Sequence, residues 1–297
     1  MALSIAACNN VKKTMLPDSG GRPYEIVIVG DSDSILYKVM AEPLAGLPQT
    51  EPMFDANLHS TLNTTLKLAR NIALVEIKAD APRTTVRYER NVYAEPQLIA
   101  HIYSPSMRQL QHDLQHNSGA KGLRDLFAKN EIANAIANLE QKHNPKMEHE
   151  IKQMFGIDML IPADMNASKK GNDFIWLSNN SPTAMTNICI YASTNRDSVM
   201  KANIKGETDA MYMKTTCGSV VTTRQTNDKD TTTIRRGLWE MYGDAMGGPF
   251  VQHIKKQGVD HKFIVAEVFV YAPGTKKRNL LLNTEAALYT IQPKQKR

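Results

Sequence analysis

The apolar runs of this sequence are short. The purely apolar stretches, such as Ile26 to Val29, have the length of a strand, whereas a helix that crosses a bilayer needs about 20 residues. The chain has 297 residues, of which 42% are hydrophobic, and it contains only three cysteines. It can therefore bury a core of ordinary size, and it has too few cysteines for a disulfide scaffold. The sequence predicts a packed globular fold without a membrane-spanning helix.

Strand-like runs and stretches with helical periodicity follow one another along the chain in no regular order. The run from Tyr24 to Val29 reads as a buried strand, whereas Met107, Leu110 and Leu114 have helical spacing. The second half is richer in strand patterns. Strands grouped between helices, without a regular βαβ alternation, favour an α+β class with largely antiparallel sheets and helices packed on one face. Duplicated ferredoxin-like halves are the topology that we expect.

Three regions are predicted along the chain. Residues 1–22 combine the N-terminal segment with a polar stretch rich in proline and glycine, which is typical of a flexible tether. Residues 23–143 and 144–297 form an N-terminal and a C-terminal α+β half. The boundary falls at Asn144 and Pro145, which occupy the N-cap and first position of a predicted helix.

A short apolar stretch from Leu3 to Ala7 precedes Cys8, and polar residues follow it. Small side chains before a cysteine are typical of a bacterial lipobox, where the thiol is acylated and the chain is cut before the cysteine. A signal peptide carries an apolar region of 7 to 15 residues, but only seven residues precede Cys8. We therefore expect a start that is assigned too late or a trimmed leader. The alternative is an accidental cysteine in a frayed terminus.

The charge of the chain gives little support for nucleic-acid binding. The net charge is +6, and aromatic residues, which stack on bases, make up only 6% of the sequence. The basic clusters Lys276 to Arg278 and Lys294 to Arg297 are therefore interpreted as solvated surface. We expect no nucleic-acid partner.

Two motifs are candidates for a catalytic or metal site. Gly30-Asp31-Ser32 after a strand is typical of GDS-type esterases, but the downstream Asp-x-x-His of those enzymes is missing, so a turn is the preferred interpretation. His112 and His116 have a spacing that can serve zinc, yet no third ligand is evident. The sequence therefore predicts no catalytic residues, no metal and no cofactor. The alternative is an envelope hydrolase that uses Ser32, or Asp31 together with Asp244.

The segment from Arg236 to Pro249 is the predicted binding surface. A planar guanidinium such as that of Arg236 suits a carboxylate or phosphate, and Gly247 and Gly248 allow close approach of a backbone. The candidate residues are Arg236, Trp239, Asp244, Gly247 and Gly248. The alternative is that Arg-Gly and Gly-Gly-Pro only shape two turns.

Five segments carry a resemblance to a known family. They are Gly21–Glu25, Leu47–Asp55, Asp173–Ser178, Arg196–Lys201 and Arg236–Val251. Together they resemble an uncharacterised family of envelope lipoproteins from Bacteroidetes, classed as domain of unknown function 4837. The chain departs from it in its short leader and in the stretch from Ala192 to Arg196, which is shorter than in relatives.

The resemblance implies a location rather than a reaction. It implies acylation of Cys8 and anchorage to the lipid bilayer in the cell envelope, with an unknown envelope partner or ligand. The residues after Cys8 lack the acidic cluster associated with export to the cell surface, so we expect attachment to the outer membrane, facing the periplasm. A non-catalytic binding or structural protein is the leading hypothesis.

Overall fold

A computed structural model describes residues 15–116, 118–226, 231–257 and 262–293. It confirms the predicted α+β class, with sheets and helices in two compact units. The first unit comprises positions 1–37 and 56–120, and the second comprises 38–55 and 121–297. The division into halves at position 144 stays a prediction.

The sheet of the first unit has the strand order β2-β1-β3-β5-β4. Its strands are β1 (Glu25–Val29), β2 (Asp55–His59), β3 (Asn71–Ile77), β4 (Thr85–Arg90) and β5 (Leu98–Ser104), and the neighbouring helices are α1 (Ile35–Met40) and α2 (Met107–Gln115). Strand β3 pairs in parallel with both β1 and β5, whereas β4 is antiparallel to β5. The antiparallel character of the fold therefore belongs mainly to the second unit.

Local sequence explains how β1 ends and α2 begins. Gly30 has a φ of +81°, and a Cβ at this position would lie 2.3 Å from the carbonyl oxygen of Val75. Only glycine fits such a turn beside the neighbouring strand. The hydroxyl of Ser106 accepts a hydrogen bond of 3.1 Å from the Gln109 amide and thereby caps α2.

The second unit is built on a sheet of eight strands with the order β10-β12-β13-β14-β9-β8-β7, and β11 also pairs with β12. All these pairings are antiparallel. The strands of this unit, including two outside the large sheet, are β6 (Ile157–Asp158), β7 (Ala167–Gly171), β8 (Phe174–Ser178), β9 (Met185–Tyr191), β10 (Tyr212–Thr215), β11 (Val221–Thr226), β12 (Thr231–Tyr242), β13 (Gly247–Gln257), β14 (Lys262–Tyr271) and β15 (Gln292–Pro293). Strands β6 and β15 form a separate pair. The two sheets differ in strand order, and a ferredoxin-like duplication is not confirmed.

Four helices complete the second unit: α3 (Gly119–Gln141), α4 (Pro145–Phe155), α5 (Arg196–Asn203) and α6 (Arg278–Tyr289). Helices α3, α4 and α6 pack on one face of the large sheet, through residues such as Leu139, Ile151 and Leu281. The short helix α5 packs on the opposite face, where Met200 joins a cluster rich in aromatic residues. Successive strand residues point to opposite faces, so central strands of this sheet such as β9 are buried on both sides, whereas β11 at the edge is exposed.

The predicted helix start at Asn144 is confirmed. The Asn144 side chain accepts a hydrogen bond of 3.3 Å from the Met147 amide, with Pro145 in the first turn. Gly156, in the left-handed conformation, ends the helix.

Candidate functional site

The predicted lipidation residue, Cys8, lies outside the described residues. No helix within the described ranges is long and apolar enough to cross a membrane. Of the two other cysteines, Cys189 is buried and Cys217 is exposed, and both are free thiols. Burial raises the pKa of the Cys189 thiol, which makes it an unreactive packing residue.

Asp31 and Ser32 have local structural roles. The Asp31 carboxylate accepts hydrogen bonds of 2.9 Å from the amides of Ile35 and Tyr37, at the start of α1. The Ser32 hydroxyl donates to the carboxylate of Asp33 at 2.9 Å. Asp31 and Asp244 belong to different units, so neither unit on its own contains the proposed carboxylate pair.

The histidines on α2 contact each other. The rings of His112 and His116 stack with their centroids 4.3 Å apart, and His116 Nδ1 lies 2.8 Å from the His112 carbonyl oxygen. Among the residues that the structure describes, no group of three or more His, Cys, Asp or Glu side chains could hold a metal ion.

A groove of about 520 Å³ lies at the turn between β12 and β13, and we call it the turn groove. It is lined by Pro48, Lys214, Thr216, Leu238, Trp239, Glu240, Met241, Tyr242, Gly243, Asp244, Ala245, Met246, Gly247 and Gly248. Four of the five predicted binding residues, Trp239, Asp244, Gly247 and Gly248, are therefore brought together on one surface. Arg236 is not part of this lining.

Trp239, Gly247 and Gly248 serve the packing of the sheet at the floor of the groove. The Trp239 indole is buried and donates a hydrogen bond of 3.2 Å to the Val270 carbonyl. A Cβ on Gly248 would lie 2.0 Å from that same carbonyl oxygen, and one on Gly247 would lie 2.9 Å from the Trp239 carbonyl oxygen. Both glycines let neighbouring backbones of this chain approach each other. Strand β13 already begins at Gly247, so both glycines lie in the sheet and not in a turn.

The rim of the turn groove carries polar and aromatic side chains. Lys214 Nζ lies 2.8 Å from the carboxylate of Glu240, which also accepts a hydrogen bond from Thr216. This pairing raises the pKa of Lys214 and lowers the pKa of Glu240. Asp244 is exposed at the turn, and Tyr242 is 52% exposed. The Tyr242 ring stacks on that of Tyr212 at 5.0 Å.

Arg236 belongs to a buried polar cluster beneath α6. Its Nη2 lies 2.7 Å from both carboxylate oxygens of Glu285, and His253 Nε2 lies 2.9 Å from one of them. The Tyr289 hydroxyl approaches the same carboxylate at 3.3 Å. The guanidinium of Arg236 therefore neutralises an internal carboxylate that sequence analysis did not identify.

A second buried polar cluster lies beneath α5. The guanidinium of Arg196 contacts both carboxylate oxygens of Glu267 at 2.7 to 3.1 Å. Tyr191 donates a hydrogen bond of 2.9 Å to Glu267, and Gln252 donates to both Tyr191 and Glu267. The Arg196 guanidinium also lies 4.0 Å from the centre of the Phe250 ring. The members of this cluster lie on separate strands and on α5, so no local pattern in the sequence predicts it.

The interpretation of Lys277 and Arg278 as solvated surface is wrong. Their backbone amides donate hydrogen bonds of 2.7 and 3.2 Å to the carboxylate of Glu51, which caps α6. Arg278 Nη2 lies 2.7 Å from Asp55, and both basic residues are buried. A helix start needs acceptors for its free amides, and Glu51 supplies them. The second predicted basic cluster, Lys294 to Arg297, lies outside the described residues.

A second groove of about 570 Å³ lies beside α4. Lys152 Nζ lies 2.6 Å from the carboxylate of Asp158. Glu148 accepts hydrogen bonds from the Ile161 amide and lies 2.9 Å from His143 Nδ1. These charged side chains are already engaged with one another or with backbone.

Two family models match the chain. Residues 144–290 match the family described as Domain of unknown function (DUF4837). This match supports a domain-of-unknown-function family for the C-terminal part. Residues 19–140 match a second model, Domain of unknown function (DUF8532). No curated protein matches the sequence. The DUF4837 match includes the turn groove apart from Pro48, and both descriptions leave the molecular function unknown.

Proposed function

We propose that this chain is a lipid-anchored, non-catalytic binding protein of the bacterial cell envelope. In this proposal Cys8 is acylated, residues 9–22 tether the domain, and the domain faces the periplasm from the outer membrane. The lipobox-like sequence before Cys8 supports the anchorage.

The turn groove is the proposed binding site, and its position carries the proposal. Its lining includes four of the five residues of the predicted binding surface, and its rim presents the half-exposed Tyr242 ring and the Asp244 carboxylate. Recognition sites commonly combine such an aromatic face with a few polar groups. The candidate nucleophile Ser32 and the carboxylate of Asp31 are engaged in local hydrogen bonds, which favours binding over hydrolysis.

Photo-crosslinking in cells tests the turn groove. Benzoyl-phenylalanine in place of Tyr242 is expected to give a discrete adduct on irradiation, because a ligand in the groove would lie against this ring. Asp244→Ala in the same chain should reduce the adduct severalfold without changing the unfolding curve, since Asp244 is exposed.

The same photo-reactive residue at Tyr88 is the matched control, because Tyr88 is a 56% exposed tyrosine outside the groove. The control position is expected to give no such adduct. Identical adducts from both positions, or no adduct from position 242, would show that the turn groove is not the binding site.

A further inference from the structure

Another surface of the second unit carries several positively charged side chains. In the ladder between β11 and β12, Arg224 lies opposite Thr233, and Thr222 lies opposite Arg235. Cross-strand partners share a face, so Arg224 and Arg235 are diagonal neighbours on one side of the sheet. Lys256 follows on β13, two residues beyond Ile254, the partner of Thr233. We call Arg224, Arg235, Lys256 and the threonines between them, Thr222 and Thr233, the basic face.

The register that creates the basic face is fixed by buried neighbours. Ile234 lies between Thr233 and Arg235 and is buried on the opposite side of the sheet, in the cluster that also contains Leu281 of α6. A slip of one residue would expose Ile234 and bury the arginines. The cations are therefore held outward by the packing of the core.

The three cations of the basic face have no counter-charge within the described ranges. The buried arginines of this unit, such as Arg196 and Arg278, each pair with a carboxylate at 2.7 Å. Among the residues that the structure describes, no carboxylate pairs with Arg224, Arg235 or Lys256; Arg224 and Lys256 are exposed, and Arg235 is half-exposed. Like charges at neighbouring ladder positions repel each other, and an oxyanion between them converts that repulsion into attraction.

The chemistry of the basic face suits phosphate. A guanidinium offers a planar fork that matches a phosphate group, and threonine hydroxyls add hydrogen-bond donors. The side chains project from a sheet, so they can meet an extended anionic surface together.

We propose that the basic face binds the phosphate headgroups of an anionic bilayer. The choice of a bilayer as partner rests on the proposed lipid anchorage, which would keep the domain beside a membrane. A basic side chain near an anionic surface strengthens binding about fivefold. Loss of both arginines should therefore weaken binding about 25-fold.

Vesicle co-sedimentation with the full chain carrying Cys8→Ser tests this inference, because this variant cannot be acylated. It is expected to bind phosphatidylcholine vesicles that contain phosphatidylglycerol, and to bind pure phosphatidylcholine far more weakly. Arg224→Gln with Arg235→Gln should reduce binding about 25-fold. The control, Arg108→Gln with Lys146→Gln, removes the same charge from exposed positions elsewhere and should leave binding within about twofold.

Three results would overturn the inference. They are equal binding to both vesicle types, equal loss in both double variants, and stabilisation by inorganic pyrophosphate without vesicle binding, which would assign the face to a soluble phosphate. Failure of the anchorage has a separate readout, because an unmodified Cys8 in cells would contradict the proposed function and leave the vesicle result standing.

Discussion

The variant Glu267→Gln is expected to lose about 3–5 kcal/mol of its free energy of unfolding. Glutamine keeps the shape of the side chain but removes the charge that balances Arg196, whose side chain is 3% exposed. Burial by itself would lower the pKa of Arg196, but the Glu267 carboxylate raises it. Without that carboxylate, the buried guanidinium keeps only the exposed carboxylate of Asp197, 3.6 Å away, as a counter-charge. Urea unfolding followed by circular dichroism measures the loss.

The double variant Arg196→Met with Glu267→Leu is the control for this expectation. It removes both charges and fills the space with apolar side chains, and such replacements are often neutral or stabilising. It should therefore be more stable than Glu267→Gln. If Glu267→Gln unfolds at the same urea concentration as the wild type, the ion pair between Arg196 and Glu267 does not stabilise the fold as expected.

Acid is expected to destabilise the chain through Glu285. Burial alone would raise the pKa of this carboxylate, but Arg236 and His253 lower it from 4.5 to about 2. A carboxyl whose pKa is lowered by folding stabilises the folded state above its unfolded pKa, and this stabilisation is lost as the pH falls. Glu285 should therefore contribute about 3 kcal/mol at neutral pH, which disappears between about pH 4.5 and pH 2.

His253 adds a second acid-sensitive contribution. Burial lowers its pKa below 6.5, although Glu285 opposes the shift. The folded state therefore resists protonation of this ring, and stability also falls as the pH decreases from 6.5. This loss begins at a higher pH than that of Glu285, so the two contributions can be separated by titration.

Free energies of unfolding measured across this pH range test the role of Glu285. The variant Glu285→Gln should start from a lower stability at neutral pH and show a flatter decline between pH 4.5 and pH 2. The exposed Glu140→Gln serves as the control and should follow the wild-type curve. Parallel curves for wild type and Glu285→Gln would contradict the role of Glu285 in the loss of stability at low pH.

Periodicity and capping residues predicted the helices well, because those signals are local. Helix α2 follows from the spacing of Met107, Leu110 and Leu114, and the start of α4 follows from Asn144 and Pro145. Strand β4 was missed because all six of its residues are exposed, so no apolar alternation marks it. The parallel pairing of β1 was also missed, although its continuous apolar run is typical of a buried parallel strand.

The predicted site residues were chosen by residue type, but in the structure they differ in burial and in the groups that they contact. Gly247, Gly248 and Trp239 stand out in sequence because the sheet needs them for close packing, not because they are free to contact a ligand. Arg236 finds Glu285, which lies 49 positions away, and Arg196 finds Glu267, which lies 71 positions away. Periodicity cannot predict such distant pairs, because they depend on strand order and register.

Lipid anchorage is the central claim of the proposed function, and the intact mass of the natural protein tests it most directly. The protein should be expressed from its genomic start in a native-like host and isolated from membrane and soluble fractions. We predict a membrane-bound species that begins at Cys8 and carries acyl chains. An unmodified soluble species that retains Met1 would contradict the anchorage.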